Sequence, residues 1–173
     1  ADFLSYYASK FDTVEINNTF YRMPKPSLLQ GWVAKVPPEF IFVLKASQRI
    51  THHAKLENTQ DNVQYFWSVA QELGQRLGPV LFQLPPYLRK DAEKLKRFLG
   101  SLPQGLRAVL EFRHRSWFED SETLDTLREH GATLCFSDVD TSDDDDPGLE
   151  QPFEATADLG YVRLRRAFYE PEQ

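Results

Sequence analysis

The sequence predicts an α/β fold in which parallel strands curl into a barrel. Three observations lead to this prediction. Short apolar runs alternate with helical patterns, each run carries a charged or amide side chain near its carboxyl end, and each run has one apolar and one mixed face. A doubly wound sheet covers both faces with helices, whereas a barrel has an open mouth at the carboxyl ends of its strands. The mixed faces therefore favour the barrel.

Six runs rich in β-branched and aromatic residues are typical of buried parallel strands. They span residues 13–17, 40–45, 80–84, 108–113, 134–138 and 161–165. Because side chains alternate along a strand, one face of each run pairs an inner residue with the polar residue near the strand end. These pairs are Glu15 with Asn17, Val43 with Lys45, Leu81 with Gln83, Glu111 with Arg113, Phe136 with Asp138, and Arg163 with Arg165.

Five amphipathic stripes between and before the runs predict helices on the outside of the sheet. The stripes are centred on residues 3–11, 28–36, 63–77, 95–102 and 124–127. Asp61 is predicted to cap the N-terminus of the third helix, and Gly78 is predicted to end it. Asp91 is predicted to begin the fourth helix. Ser121 opens the fifth helix and Gly131 closes it. Strand and helix therefore alternate as repeated βα units.

Composition limits the class of protein. The 173 residues suit a single domain over 1–173, and the formal net charge of -6 argues against a broad nucleic-acid surface. Cys135 is the one cysteine, so the chain holds no internal disulfide. The longest strongly apolar stretch, residues 40–44, is too short to span a bilayer, and the opening residues resemble no secretory signal. We therefore expect no membrane partner and a cytoplasmic location.

The charged residues near the strand ends form the candidate site. Three acids face three bases, and their formal charges cancel: Glu15, Glu111 and Asp138 against Lys45, Arg113 and Arg163. One interpretation is a buried ion-pair network with Asn17 and Gln83 as hydrogen-bond partners. However, an apolar barrel filling would be at least as stable as such a network. Keeping so many ions at one end therefore favours a site for a polar ligand.

The loops after the strands add candidates for the rim of this site. His52 and His114 are predicted to titrate near neutral pH and to serve as acid or base. Tyr21 and Trp117 are candidates for contact with a ligand, Trp117 by stacking. His52 and His53 lack the i, i+4 spacing of paired zinc ligands on a helix. A divalent metal on Glu15, Glu111 and Asp138 is an alternative that we do not favour, because three cations lie nearby; the sequence names no cofactor.

Six stretches carry a resemblance to a known family. They are VEINNTFYRMP (14–24), FVLKASQRITH (42–52), LGPVLFQLPP (77–86), LEFRHRSWF (110–118), FSD (136–138) and YVRLRR (161–166). In this order they resemble the YecE-like family, also called domain of unknown function seventy-two. The resemblance implies a TIM-barrel-like fold with no established activity. It also implies that this chain holds strands two to seven of eight, lacking the first and last. Arg165 and Arg166 stand where many members have His-Gly.

The leading hypothesis is an enzyme acting on a small anionic substrate that bears a phosphate or a carboxylate. Lys45, Arg113 and Arg163 would hold the anion. Glu15 and Glu111 would be general acid and base, and Asp138 would orient a cation or act with them.

Two alternatives stay open. A carboxylate pair is also typical of glycoside hydrolysis. A binding module for a nucleotide or single-stranded nucleic acid would use Arg165 and Arg166 with the aromatic side chains of Tyr21, Tyr87 and Trp117. A small-molecule ligand is favoured over nucleic acid, and the oligomeric state is left undetermined.

Overall fold

Six parallel strands form a single curled sheet in the computed structural model, which describes residues 3–138 and 149–164. Neighbouring strands follow chain order, and the sheet curls into a half-barrel. The strands are β1 (Thr13–Ile16), β2 (Ile41–Lys45), β3 (Leu77–Gln83), β4 (Ala108–Glu111), β5 (Thr133–Asp138) and β6 (Tyr161–Leu164). The predicted parallel α/β architecture is therefore confirmed.

Five α-helices accompany the strands. They are α1 (Phe3–Ala8), α2 (Pro26–Val33), α3 (Gln60–Ala70), α4 (Ala92–Gly100) and α5 (Glu122–Glu129). Short turns follow several strands at their carboxyl ends: 3-10 turns at Asn18–Phe20 and Arg115–Phe118, and a π-helical turn at Arg49–His53. Asp91 caps α4 as predicted, because its Oδ1 accepts a hydrogen bond from the backbone N of Lys94 at 2.9 Å.

The predicted boundaries of the third helix are wrong. Helix α3 begins at Gln60, so Asp61 lies in its first turn, and a 3-10 turn (Gln71–Arg76) replaces its last stretch. Gly74 in that turn has a φ of 56°, which favours glycine. Gly78 lies inside β3, where a Cβ would come within 2.5 Å of Ile41 Cγ2 on β2. This glycine therefore serves close strand approach and does not end a helix.

The two faces of the sheet bury different sets of apolar side chains. The main core lies between the sheet and the helices and includes Phe42, Phe82 and Leu110. A small apolar cluster on the inner face consists of Leu81, Val109 and Cys135, all fully buried. The inner face is therefore apolar along the middle of the sheet, and its polar side chains lie nearer the strand ends.

The predicted face of β5 is wrong. Cys135 packs with the inner cluster, and the register pairs it with Tyr161 and pairs Ser137 with Arg163. Phe136 and Asp138 therefore lie on the opposite face. The prediction assumed that the charged residue of each run marks the inner face, but β5 fills that face with the small side chains of Cys135 and Ser137.

Strands β1 and β6 are the two edges of the sheet. A cleft of about 690 Å³ runs between them and is lined by Glu15, Val43, Tyr161 and Arg163 among others. Large apolar side chains near these edges are exposed, including Phe11 and Leu164. We predict that two further strands flank these edges in a single barrel domain. In the described ranges no helix has the length and apolar character needed to cross a membrane.

Candidate functional site

A continuous chain of hydrogen bonds crosses the inner face and joins five of the six strands. Lys45 Nζ at the end of β2 donates to Gln83 Oε1 on β3 at 2.8 Å. Gln83 Nε2 donates to Glu111 Oε1 on β4 at 2.9 Å, and Arg163 Nη1 on β6 donates to Glu111 Oε2 at 2.6 Å. Arg163 continues to Glu15 on β1. We call Glu15, Lys45, Gln83, Glu111, Tyr161 and Arg163 the strand-end cluster.

Arg163 is the centre of the strand-end cluster because it binds two carboxylates from different strands. Its Nη2 and Nε donate to Glu15 Oε1 and Oε2 at 2.8 and 3.0 Å, a bidentate arrangement. The Tyr161 hydroxyl also donates to Glu15 Oε2, at 2.6 Å. Since Glu15 is on β1 and both partners are on β6, these bonds connect the two edges of the half-barrel across its interior.

The protonation states of Glu15, Tyr161 and Arg163 follow from their burial and from these hydrogen bonds. Burial alone would raise the pKa of Glu15, but hydrogen bonds from Tyr161, Arg163 and Asn17 lower it overall. Burial and the bond to Glu15 raise the pKa of Tyr161. Burial opposes the charge of Arg163, but Glu111 and Glu15 outweigh it and raise its pKa. At neutral pH, Glu15 is therefore an anion, Arg163 a cation and Tyr161 a neutral donor.

Lys45 has a different environment. Its Nζ lies 4.2 Å from the centre of the Phe20 ring, and its hydrogen-bond acceptor, Gln83 Oε1, is uncharged. Burial and the charge of Arg163 lower the pKa of Lys45 to about 8, although Glu111 and Glu15 act in the other direction. The ammonium of Lys45 is thus held in a place that disfavours its charge.

Arg113 and His52 complete the surroundings of Lys45, and we call them the rim. Arg113 Nε lies 3.9 Å from Glu111 Oε1, and its side chain is largely buried. The His52 ring packs edge-on against Phe20 and its Nδ1 is 2.8 Å from Thr51 Oγ1. Burial, followed by the charges of Lys45 and Arg113, lowers the pKa of His52 to about 4. The prediction that His52 titrates near neutrality is therefore wrong, and its imidazole is neutral at pH 7.

The lowered pKa of His52 has a measurable consequence for stability. An unfolded chain binds a proton on this histidine at about pH 6.5 and the folded chain only near pH 4, so the folded state loses stability as pH falls through that window. We expect the stability loss between pH 7 and pH 4 to be smaller in His52→Gln than in the wild type. The expected difference is on the order of 1 kcal/mol after screening by solvent.

Urea unfolding of both proteins at several pH values measures this difference. Glu15 has a lowered pKa as well, and its contribution is lost in acid in both proteins. Parallel curves for wild type and His52→Gln would contradict the assignment.

Trp117 was predicted to stack on a ligand, and this prediction is wrong. The side chain is 1% exposed and belongs to the main core. Its ring lies 4.6 Å from the Phe112 ring, and its Nε1 donates to the Leu88 carbonyl at 2.8 Å. Although Trp117 follows β4 in a loop, the 3-10 turn Arg115–Phe118 folds it under the sheet, where no ligand can stack on it.

The remaining predicted site residues are not members of the strand-end cluster. Asn17 is exposed and donates to Glu15, and Tyr21 is 72% exposed with its ring against Phe20. His114 Nδ1 accepts a hydrogen bond from the Ser116 backbone N at 3.1 Å, a cap at the start of a 3-10 turn. Arg165 lies outside the described residues.

Asp138, another predicted site residue, does not lie on the inner face of the sheet. Without it the cluster and its rim contain three cations, Lys45, Arg113 and Arg163, and two carboxylates, Glu15 and Glu111. Of the six charged residues that the sequence grouped, five therefore lie together among the described residues, and Asp138 lies on the opposite face. Over residues 3–138 and 149–164, no group of three or more His, Cys, Asp or Glu is placed to hold a metal ion.

Two residues of the site were not singled out from the sequence. Tyr161 donates to Glu15, and the period-2 alternation that places Arg163 on the inner face would also have placed Tyr161 there. The side chains of Lys45 and His52 both pack against the ring of Phe20. Only its position directly after a strand pointed to it.

Comparison with known proteins places the chain among uncharacterised relatives. A family model described as "Protein of unknown function DUF72" matches residues 1–172. The UPF0759 protein YecE of Escherichia coli K12 is 34% identical over 125 residues, which are 72% of this chain and 46% of that protein. The UPF0759 protein YunF of Bacillus subtilis is 31% identical over 143 residues, 74% of this chain and 49% of that protein. The chain thus spans about half the length of these relatives.

Solved structures agree with the fold. A DUF72 family protein from Thermotoga maritima has a TM-score of 0.76 and 30% identity, over 94% of this chain and 64% of that one. Another from Enterococcus faecalis has a TM-score of 0.77 at 21% identity, over 94% of this chain and 68% of that one. At that lower identity the likeness shows the fold alone. The resemblance to the YecE-like family is confirmed.

Proposed function

The chain belongs to the family described as protein of unknown function DUF72, and on this premise we propose that it is an enzyme acting on a small anionic substrate. The substrate bears a phosphate or a carboxylate and binds at the strand-end cluster, beside Lys45 and Arg113. A binding site at the carboxyl ends of the strands is the usual location in barrels of parallel strands.

The observation that carries this proposal is the environment of Lys45 at the end of β2. Its ammonium is half-buried, its hydrogen-bond acceptor is a neutral amide, and two guanidinium groups are near enough to lower its pKa. A positive charge held under these conditions is costly, and a bound anion would relieve the cost. Burial lowers the pKa of His52, and the charges of Lys45 and Arg113 lower it further, so these cations act on the rim as well.

The proposed roles follow from the protonation states. Lys45 and Arg113 bind the anion, Lys45 as a point charge and Arg113 through its planar fork. Glu15 and Glu111 fix Arg163 in place, and Glu111 is the proposed base because it also contacts Gln83 beside Lys45. His52, neutral at pH 7, is a hydrogen-bond partner at the rim and an acceptor of a proton during reaction.

The two alternatives receive less support. A glycosidase needs one carboxyl that stays protonated, yet Glu15 has a lowered pKa and shares the Arg163 guanidinium with Glu111. A nucleic-acid module would use exposed aromatic residues, of which Tyr21 and Tyr87 are exposed and Trp117 is buried. We therefore favour the small anion and leave an oligonucleotide as an outcome of the test.

Thermal denaturation of the full-length protein tests the proposal. Glycerol 3-phosphate is expected to raise the midpoint, whereas uncharged glycerol at the same concentration is not. The shift should be smaller at pH 9.5 than at pH 7, because Lys45 with a pKa of about 8 has then lost its charge. Lys45→Met should weaken binding about 10-fold or more, the usual value of a hydrogen bond to a charged group.

Lys90→Met is the matched control. Lys90 is similarly enclosed, but it pairs with Asp120 and Glu122 away from the cluster. Its replacement should leave the shift with glycerol 3-phosphate unchanged. Equal stabilisation by glycerol, or wild-type affinity in Lys45→Met, would overturn the proposal. Binding of an oligothymidylate that weakens steeply with added salt would favour the nucleic-acid module instead.

A further inference from the structure

Lys45 differs from the lysines that pair with carboxylates in the described part of the chain. Lys90 pairs with Asp120 and Glu122, and Lys94 and Lys96 pair with Asp91 and Glu129. Lys45 is half-buried at the end of β2 and forms no salt bridge within the described part of the chain. Its Nζ contacts the Gln83 amide oxygen at 2.8 Å and the Phe20 ring at 4.2 Å. Such a lysine is suited to act as a nucleophile.

We propose that Lys45 forms a covalent imine with an anionic carbonyl compound, an aldehyde or ketone that also bears a carboxylate or phosphate. This inference rests on the proposed function and names the substrate class of the same site. The Phe20 ring and the Gln83 amide leave Nζ facing neutral groups. The charge of Arg113 acts on Lys45 as well, and we assign to Arg113 the anionic group of the substrate.

The charged groups around Lys45 support this role. Burial, followed by the charges of Arg163 and Arg113, disfavours its ammonium and outweighs the attraction of Glu111 and Glu15, which leaves a pKa of about 8. About one tenth of the amine is then neutral at pH 7, compared with less than a thousandth for a lysine of ordinary pKa. Only the neutral amine can attack a carbonyl carbon.

The step balances with groups that are present. The lone pair of Nζ forms a bond to the carbonyl carbon, and the carbonyl oxygen takes the proton that Nζ releases, which gives a carbinolamine. A second proton, from solvent, lets the hydroxyl group leave as water, and the C=N bond of a protonated imine forms. No oxidant or reductant is consumed. His52, uncharged at pH 7 and near Lys45, is the proposed relay for the proton.

Reductive trapping tests the inference. The full-length protein is incubated at pH 7 with glyoxylate, which has an aldehyde and a carboxylate, and with sodium cyanoborohydride, which converts an imine to a stable amine. Peptide mass mapping then gives the labelling rate of each lysine. Lys45 is expected to react on the order of a hundredfold faster than Lys90, whose pKa is raised by its acidic partners. Comparable rates at the two lysines would overturn the inference.

Two further comparisons separate this inference from the anion site itself. Glycolaldehyde has the same reactive group without the charge, and it should label Lys45 about tenfold more slowly than glyoxylate. Equal rates would reject the anionic substrate class. Lys45→Arg keeps the positive charge but cannot form an imine. It should lose the fast-reacting site. If glycerol 3-phosphate stabilises the wild type while Lys45 reacts no faster than Lys90, the anion site stands and the imine is rejected.

Discussion

Replacing Arg163 with methionine is expected to lower the free energy of unfolding by about 3–5 kcal/mol, the usual cost of removing one partner from a buried ion pair. The guanidinium binds Glu15 and Glu111 at once, and its loss removes a buried counter-charge from both carboxylates. It also removes the bonds that join β6 to β1 and β4. Urea unfolding at pH 8 measures the effect.

The pH dependence distinguishes charge from packing as the cause of this loss. In the wild type, Arg163 helps to lower the pKa of Glu15, whereas without Arg163 a buried carboxyl has a raised pKa. The Glu15 carboxyl of the variant therefore takes up a proton as pH falls, and the deficit should shrink between pH 8 and pH 5. A deficit that does not change with pH would show that Arg163 contributes through packing alone.

Arg128 provides the matched control. It also binds two carboxylates, of Asp125 and Glu154, but its side chain is 41% exposed where that of Arg163 is 13% exposed. Arg128→Met should cost only about 0–1 kcal/mol, because exposed ion pairs are screened by water. If Arg128→Met and Arg163→Met cost the same, burial is not the source of the Arg163 effect.

Replacing Trp117 with alanine is also expected to lower the free energy of unfolding by about 3–5 kcal/mol. The indole is fully enclosed against Phe112 and donates to the Leu88 carbonyl, so its removal leaves a large cavity and an unsatisfied carbonyl. Unfolding in urea provides the measurement. The effect is structural, so the affinity of the folded variant for glycerol 3-phosphate should be unchanged.

Trp117→Phe separates the two parts of this effect. Phenylalanine keeps much of the packing on Phe112 but cannot donate to Leu88, so we expect a smaller loss of about 1–3 kcal/mol. Normal stability in Trp117→Ala, together with weakened binding of glycerol 3-phosphate, would restore the original prediction that this ring stacks on a ligand.

Side-chain alternation along the strands predicted part of the polar inner face. Alternation along the strands correctly grouped Glu15, Lys45, Gln83, Glu111 and Arg163, because side-chain direction within a strand depends only on local geometry. It failed for β5, where the charge of Asp138 was taken to mark the inner face. The inner positions are those of Cys135 and Ser137. A polar residue at the end of a strand can lie on either face.

The order of strands and helices was determined by the sequence alone, since hydrophobic periodicity and helix caps such as Asp91 act over a few residues. Only the tertiary structure decided which charges meet. Glu15 bonds to residues 146 and 148 positions away, Tyr161 and Arg163, and no local pattern encodes so distant a pairing. The curl of the sheet brings its two edges within reach of a single guanidinium. The same curl leaves Lys45 beside guanidinium groups with a neutral acceptor, the condition on which both proposals depend.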